Sequence, residues 1–227
     1  MGGAQTALCR NSSFGEDVIS FPHVARFREI PRCAAIALVL AALLVLPGCW
    51  VVSIHGLYEE PSIDSPRQDP DLVFDQSLTG SWSATEDKCT TLLTIASKDE
   101  VYDLQSTEQG EGCSDAGKKD HRQGRLVKLD TYYFLDVSPL PDDVCEMCLA
   151  EHWIFLVRFD KDTLSFTAID SDWLKKSLAA KKVALATLPD DSDTIIASSK
   201  DLKAFCRKFA GNKAVFKPES TSTFKRT

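Results

Sequence analysis

The fold class of this chain is decided by the stretch Leu126-Val127-Lys128-Leu129-Asp130-Thr131-Tyr132-Tyr133-Phe134-Leu135-Asp136-Val137. Two runs rich in β-branched, aromatic and aliphatic residues flank the turn-forming pair Asp130-Thr131, which predicts a β-hairpin. A second hairpin is expected about the polar turn 160–162, between strands from Glu151 to Phe159 and from Thr163 to Ile169. Both faces of the strand from Glu151 to Phe159 carry apolar residues, which indicates that both faces are covered.

Similar short runs occur earlier in the chain. They predict strands over Gly80 to Ala84, Thr90 to Ile95 and Val101 to Gln105. Strands that follow one another through short turns pair as an antiparallel meander. We therefore expect an α+β, mostly β fold, either an antiparallel meander sheet or a calycin-like half-barrel, with two helices towards the carboxyl end.

The two helices are expected after most of the strands. The first covers Asp172 to Lys181, with Asp170 or Ser171 as its cap. The second begins after Ser198, because Asp201 follows three residues later as in a capping box. Its apolar residues recur at helical spacing, which predicts a buried face: Leu202, Phe205, Cys206 and Phe209.

The composition is that of a globular protein, with 44% hydrophobic and 26% charged residues, and it excludes wholesale disorder. Lys and Arg total 26 against 33 Asp and Glu, a net charge of -7. The first 48 residues hold four of the basic and three of the acidic side chains, so the remainder carries 22 and 30, a net charge of -8. An acidic surface is repelled by phosphates, so we expect no nucleic-acid partner.

A targeting segment precedes the strands. Arg26, Arg28 and Arg32 form a basic stretch, and 14 uncharged apolar residues follow from Cys33 to Leu46, the length of a signal-peptide core. The next residues complete Leu46-Pro47-Gly48-Cys49, which resembles the bacterial lipobox. That resemblance implies that Cys49 is acylated and the chain is cleaved after Gly48.

A second interpretation of this segment is an uncleaved membrane anchor, because the uncharged stretch from Cys33 to Ile54 has 22 residues and is long enough to cross a bilayer. Both interpretations place the later residues outside the cytoplasm. We expect a protein of the bacterial cell envelope that faces the periplasm or the exterior and is attached to the membrane through Cys49.

Three regions are expected on this basis. Residues 1–48 form the leader and signal peptide. Residues 49–77 form a flexible tether, because 56–77 contains three Pro and six carboxylates, a composition typical of extended linkers. Residues 78–227 form a single β-rich domain.

The β-rich domain resembles a family of uncharacterised bacterial exported proteins over residues 78–216. The segments that carry the resemblance are Leu78–Trp82, Gly124–Leu129, Tyr133–Asp136, His152, Asp162–Leu164, Asp172–Leu174 and Leu202–Phe209. These segments are structural, so the resemblance implies a fold and no activity. The Gly80-x-Trp82 pattern is also similar to the first strand of lipocalins, which would imply a barrel with an internal pocket.

Five cysteines lie beyond Cys49, and export makes disulfides the default state. Cys206 lies on the apolar face of the second helix and is expected to be a buried, unpaired thiol. Two bridges among the five cysteines allow 15 connectivities, of which proximity in the sequence favours Cys89 with Cys113 and Cys145 with Cys148.

Cys145-Glu146-Met147-Cys148 and the following His152 allow three interpretations. A structural disulfide is the first. A redox pair would need a strand before it and a helix after it, and a zinc site would have three of its four ligands in Cys145, Cys148 and His152. We favour the disulfide and expect His152 to pack at a strand edge.

We recognise no catalytic motif, no phosphate-binding loop and no cofactor signature in the sequence. The acidic group Asp190, Asp191 and Asp193 lacks the glycine and glutamate of a calcium loop, and we expect a plain loop there. We therefore expect a non-enzymatic binding or structural module with an envelope partner. The alternatives are a carrier of a small apolar ligand and a thiol or zinc protein.

Overall fold

The computed structural model describes residues 50–60, 68–144 and 148–227. The strands are β1 (Val52–Ser53), β2 (Leu72–Val73), β3 (Gly80–Glu86), β4 (Cys89–Lys98), β5 (Val101–Gln109), β6 (Lys119–Leu129), β7 (Tyr132–Pro139), β8 (Trp153–Phe159), β9 (Thr163–Ala168), β10 (Thr187–Leu188), β11 (Asp191–Ile195) and β12 (Thr221–Arg226). The helices are α1 (Ser171–Ala179) and α2 (Ser199–Phe209), and short 3-10 helices cover Gln76–Leu78, Pro141–Asp143 and Pro218–Ser220.

Eight strands form a closed antiparallel barrel. Strands β3 to β9 pair in chain order, and β12 lies between β9 and β3 and closes the ring. Strand β2 extends the wall by pairing with Leu126 and Val127 of β6, beyond the residues that pair with β5. The expected mostly β fold with two helices is confirmed, and the sheet is more closed than a half-barrel.

The predicted hairpins form with the expected turns. Val127 pairs with Phe134 and Leu129 with Tyr132, so Asp130 and Thr131 are the two turn residues, with Asp130 at φ 57°. In the second hairpin the Asp160 carboxylate accepts hydrogen bonds from the backbone N–H groups of Asp162 and Thr163. The Asp160 side chain therefore satisfies backbone N–H groups within the turn.

The barrel interior is filled by side chains from every part of its wall. The buried interior residues are Leu78, Trp82, Ile95, Tyr102, Leu104, Leu126, Leu135, Val137, Val157, Leu164 and Phe224. Buried polar atoms in this core have partners: Trp82 donates to the Leu78 carbonyl at 3.0 Å, and the Tyr102 hydroxyl donates to the Asp75 carbonyl at 3.1 Å. Burial and the Asp75 charge raise the pKa of Tyr102 to about 12, against the lowering effect of its backbone hydrogen bond, so the phenol stays neutral.

One end of the barrel is closed by Arg226. Its guanidinium lies 4.0 Å from the ring centre of Trp82 and donates to the carbonyls of Ser77, Thr79 and Lys161. Gly80 makes this approach possible, because its φ is +135° and a Cβ there would lie 2.4 Å from the Arg226 guanidinium. The last strand is thereby joined to the first strand of the barrel.

A second core lies between the outer face of the barrel wall and the helices. It includes Phe134 and Leu156 from the wall, Leu174 from α1, and Leu202 and Phe205 from α2. Both helices begin as predicted, with Asp170 accepting from Trp173 N–H and Ser198 accepting from Asp201 N–H. Cys206 is a free thiol in this core, as expected, and burial raises its pKa.

The predicted tether over 49–77 is wrong for the residues that the structure describes, 50–60 and 68–77. Val51, Leu57 and Tyr58 are buried in the second core. Strands β1 and β2 pair with β11 and β6. Two of the carboxylates that suggested a solvated linker, Asp69 and Asp71, instead both pair with Lys203 on α2.

The expected loop at 190–193 is also wrong in part. Asp191–Ile195 forms β11, which pairs parallel with β1 and antiparallel with β10. Asp193 accepts a hydrogen bond from Ser171 and pairs with Lys175 at 2.6 Å, so its carboxylate joins this small sheet to α1. Ile195, the last residue of β11, is fully buried.

Candidate functional site

The paired cysteines stand at one end of the barrel. Cys89 and Cys113 form a disulfide, the pairing that proximity favoured. It joins the start of β4 to the loop between β5 and β6. The carboxylate of Glu108 lies within 4.8 Å of both sulfur atoms, but neither sulfur is a thiolate, so the group does not have the ligands of a metal site.

Cys148, the second cysteine of the C-x-x-C motif, lies at the same end, shortly before β8. Cys145 lies outside the described residues, and Cys148 is disulfide-bonded. A bonded sulfur cannot act as a thiolate ligand or as an attacking thiolate in this state. Of the proposed zinc ligands, His152 uses its Nδ1 on a carboxylate instead.

That carboxylate belongs to Asp136, and the two residues form a buried polar pair on the outer face of the barrel wall. Asp136 Oδ1 lies 2.7 Å from His152 Nδ1, and Oδ2 accepts a hydrogen bond from the backbone N–H of Leu57. Asp136 is 2% exposed, in the middle of β7 on the face opposite the barrel interior. A buried carboxylate needs such donors because an unpaired buried charge is strongly destabilising.

The folded amino-terminal segment completes this group. Ser53 and His152 exchange two backbone hydrogen bonds, of 2.9 and 2.8 Å, and Gly56 passes directly over the pair. A Cβ at Gly56 would lie 3.2 Å from the Asp136 carboxylate, from the His152 ring and from the Tyr58 ring. Glycine therefore permits the close approach of the backbone at this point.

Tyr58 forms the outer side of the group. Its ring meets that of His152 edge-on at 6.4 Å, and the Arg125 guanidinium lies 5.1 Å from its ring centre. Arg125 also lies 3.7 Å from Glu60. Burial, together with the charges of Asp136 and Glu60 and despite that of Arg125, raises the pKa of Tyr58, so its hydroxyl stays protonated at neutral pH.

The hydrogen bond from His152 Nδ1 to Asp136 holds the imidazole ring in one orientation. A carboxylate on one ring nitrogen sets the tautomer and can leave the other nitrogen to exchange protons. The neighbouring Ser53 hydroxyl is engaged with the backbone of His55, donating to its carbonyl at 2.7 Å. The contacts of this group fasten residues 53–58 to the barrel wall, so a structural role accounts for them.

The two tryptophans that follow His152 in the sequence, and the surface histidine His121, do not converge on this group. Trp153 packs against the barrel interior and has Arg122 4.4 Å from its ring centre. Trp173 belongs to the second core, with its ring centre 5.1 Å from that of Phe209. His121 pairs with Asp103 on the surface at 2.6 Å.

Sequence reasoning missed Asp136, Gly56 and Tyr58 as parts of one group. The available signal was Asp136, a carboxylate between Leu135 and Val137 of a predicted strand, because a carboxylate that is buried among apolar residues requires a partner. A polar surface cleft of about 320 Å³ lies nearby, between Asp69, Phe74, Glu100 and Arg125. Most of the residues that line this cleft belong to the segment that was expected to be a linker, so the cleft could not be predicted from the sequence.

No protein-family model matches the chain, and no curated protein or solved structure is significantly similar to it. The resemblance to exported bacterial proteins and the lipobox interpretation therefore stay predictions. Within the described ranges, no helix has the length and apolar character needed to span a bilayer.

Proposed function

We propose that this chain is a membrane-anchored lipoprotein of the bacterial cell envelope, held by an acylated Cys49, whose barrel is a binding or structural module. The proposal combines the lipobox-like sequence with the packing of the residues that follow it. The partner is another component of the cell envelope, and it binds to the outer surface of the barrel. No cofactor takes part.

The observation that carries the proposal is the position of the first folded residues. Of the 22 uncharged residues from Cys33 to Ile54, the last five belong to the folded domain: Val51 is buried, and Val52 and Ser53 form β1. This leaves 17 residues, 33–49, for a membrane-spanning anchor. A spanning helix needs about 20 apolar residues, with about 17 as the lower limit, so the packing favours cleavage and acylation over an uncleaved span.

The filled barrel supports a surface partner over an internal ligand. A carrier needs an apolar cavity of several hundred Å³. The central positions of this barrel are occupied instead, with Trp82, Tyr102 and Leu126 at most 1% exposed. An apolar ligand would have to displace close-packed side chains, which is costly.

Acylation is tested by mass spectrometry and palmitate labelling of the full-length chain expressed in a bacterial host. We expect a mature chain that begins at Cys49, carries label and sediments with membranes. The Cys49→Ala variant is expected to lose the label and stay uncleaved. Cys33→Ala is the matched control, because it removes a thiol from the same leader and should keep both label and cleavage. An unlabelled wild type, or a labelled Cys49→Ala variant, would overturn the proposal.

The surface module is distinguished from a carrier by titration with cis-parinaric acid, an apolar fluorescent probe. We expect no saturable increase in fluorescence with the membrane-extracted protein. Saturable binding that Tyr102→Trp weakens, by adding volume inside the barrel, would instead establish the carrier.

A further inference from the structure

The two most exposed large apolar side chains of the described chain lie at one end of the barrel. Because neighbouring strands are antiparallel, the turn at Asp87 and Lys88, the loop 110–118 and the described residues between β7 and β8 (140–144 and 148–152) all lie at one end, which also holds the Cys89–Cys113 bridge. We call this the disulfide end. Leu149, which is 70% exposed, lies within 148–152.

Trp50 lies near the same end. Its ring meets that of Phe155 edge-on, with the centres 5.6 Å apart, and Phe155 is the third residue of β8, which starts at the disulfide end. The indole is nevertheless 60% exposed. Only part of the apolar surface of Trp50 therefore packs against the barrel, and the rest is exposed to solvent.

The backbone next to Trp50 has little freedom. Val51 is buried, and Ser53 pairs with both His152 and β11. Cys49 is one residue away, about 3.8 Å between Cα atoms. An acylated Cys49 would therefore hold the barrel at the membrane surface without an intervening tether.

We propose that the disulfide end of the barrel rests on the lipid bilayer, with Trp50 in the interfacial layer beside the acyl chains of Cys49 and Leu149 as a second apolar contact. Tryptophan prefers this layer because its ring is apolar while its N–H can bind water or headgroups. The net charge of -8 from residue 49 onward opposes anionic lipid, so the matching surface is zwitterionic. This inference rests on the acylation of Cys49 proposed above.

The test is quenching of tryptophan fluorescence by brominated acyl chains, using the full-length lipidated protein in phosphatidylcholine vesicles. We expect brominated lipid to quench the wild type, and Trp50→Phe to lose most of that quenching. Trp173→Phe is the matched control and should keep it, because Trp173 packs against Phe209 in the second core. Quenching that Trp50→Phe leaves unchanged would overturn the inference.

Two double variants make the orientation itself measurable. In the Trp50→Phe background, Leu149→Trp places an indole at the disulfide end and is expected to restore quenching. Phe74→Trp places one near the opposite end, where Phe74 stacks on Tyr102 at 5.3 Å, and should not restore it. Restoration by Phe74→Trp alone would reverse the proposed orientation.

The mass of each reconstituted protein separates the two proposals. An unacylated chain refutes the lipoprotein function, whereas an acylated chain without quenching refutes only the contact with the bilayer.

Discussion

Lys203 Nζ lies 2.6 Å from each carboxylate oxygen of Asp69, which joins two residues 134 positions apart in the sequence. Asp69 also accepts hydrogen bonds from the backbone N–H groups of Glu59 and Asp71. One buried carboxylate therefore holds both described parts of the amino-terminal segment and connects them to α2. This contact is the reason that residues expected to form a linker belong to the domain.

Removing that charge should destabilise the fold. We expect Asp69→Asn to lower the free energy of unfolding by about 3 kcal/mol, because breaking a buried ion pair leaves Lys203 with the Asp71 partner alone. Urea denaturation measures the change. Asp142→Asn, at an exposed position, is the control and should change stability by less than about 0.5 kcal/mol. Equal stability of the two variants would contradict the assignment.

Acid should remove the contribution of the Asp69 carboxylate to the free energy of unfolding. Burial tends to raise the pKa of Asp69, but hydrogen bonds from Lys203 and from the backbone of Glu59 and Asp71 outweigh it and lower the pKa below its usual value. A lowered folded pKa stabilises the protein above the unfolded pKa of about 3.9, and this stabilisation is lost as pH falls through the folded value. The stability gap between wild type and Asp69→Asn should thus be constant above about pH 5 and shrink below about pH 4. A gap that stays constant to pH 2.5 in urea titrations would count against this linkage.

The sequence predicted the wall of the barrel better than its closure. Strands β3 to β9 have alternating or continuous apolar patterns, and both helices have caps that can be recognised locally. The closing strand β12 has one apolar residue, Phe224, among polar ones, because its other anchor is the guanidinium of Arg226 lying over Trp82. No local pattern identifies such a partner.

The candidate site was less predictable for the same reason. Asp136 and His152 meet across neighbouring strands, but the third element, the segment through Gly56 and Leu57, comes from 79 residues away in the chain. Proline and carboxylates in the following stretch are typical of a linker, and only the cations of α2 show that they are partners in a folded structure.

Closure of the barrel can be tested at Gly80. Gly80→Ala is expected to lower the free energy of unfolding by about 2 to 3 kcal/mol, because the backbone is strained for alanine at φ +135° and the new Cβ would displace Arg226. Gly117→Ala is the matched control: it also has a positive φ, but nothing lies within 4 Å of its Cβ, so only about 1 kcal/mol is expected. Thermal denaturation of both variants measures the difference. A loss at Gly117 as large as that at Gly80 would show that Arg226 is not the cause.

The Cys89–Cys113 bridge should stabilise the barrel by restricting the unfolded chain. It closes a loop with a sequence separation of 24, so the Cys89→Ala/Cys113→Ala variant is expected to lose about 3 kcal/mol. Urea denaturation without reductant measures the loss. A change below about 1 kcal/mol would contradict a stabilisation that comes from restricting the unfolded chain.

Cys206 should be inert in the native protein. Burial raises the pKa of its thiol, and a protonated thiol beneath α2 reacts slowly with 5,5′-dithiobis(2-nitrobenzoic acid). We expect no reaction of Cys206 without denaturant and full reaction in guanidinium chloride, with Cys206→Ala as the control. Rapid native labelling of this residue would contradict its burial.

Amide hydrogen exchange over residues 50–60 tests the central claim, that this segment belongs to the folded domain, most directly. The Ser53 and Leu57 amides donate to His152 and Asp136, so we expect peptides from this segment to be protected to the same degree as those from β7 and β8. Exchange at the rate of an unstructured chain, with β7 and β8 still protected, would contradict the account and restore a flexible tether between the membrane and the barrel.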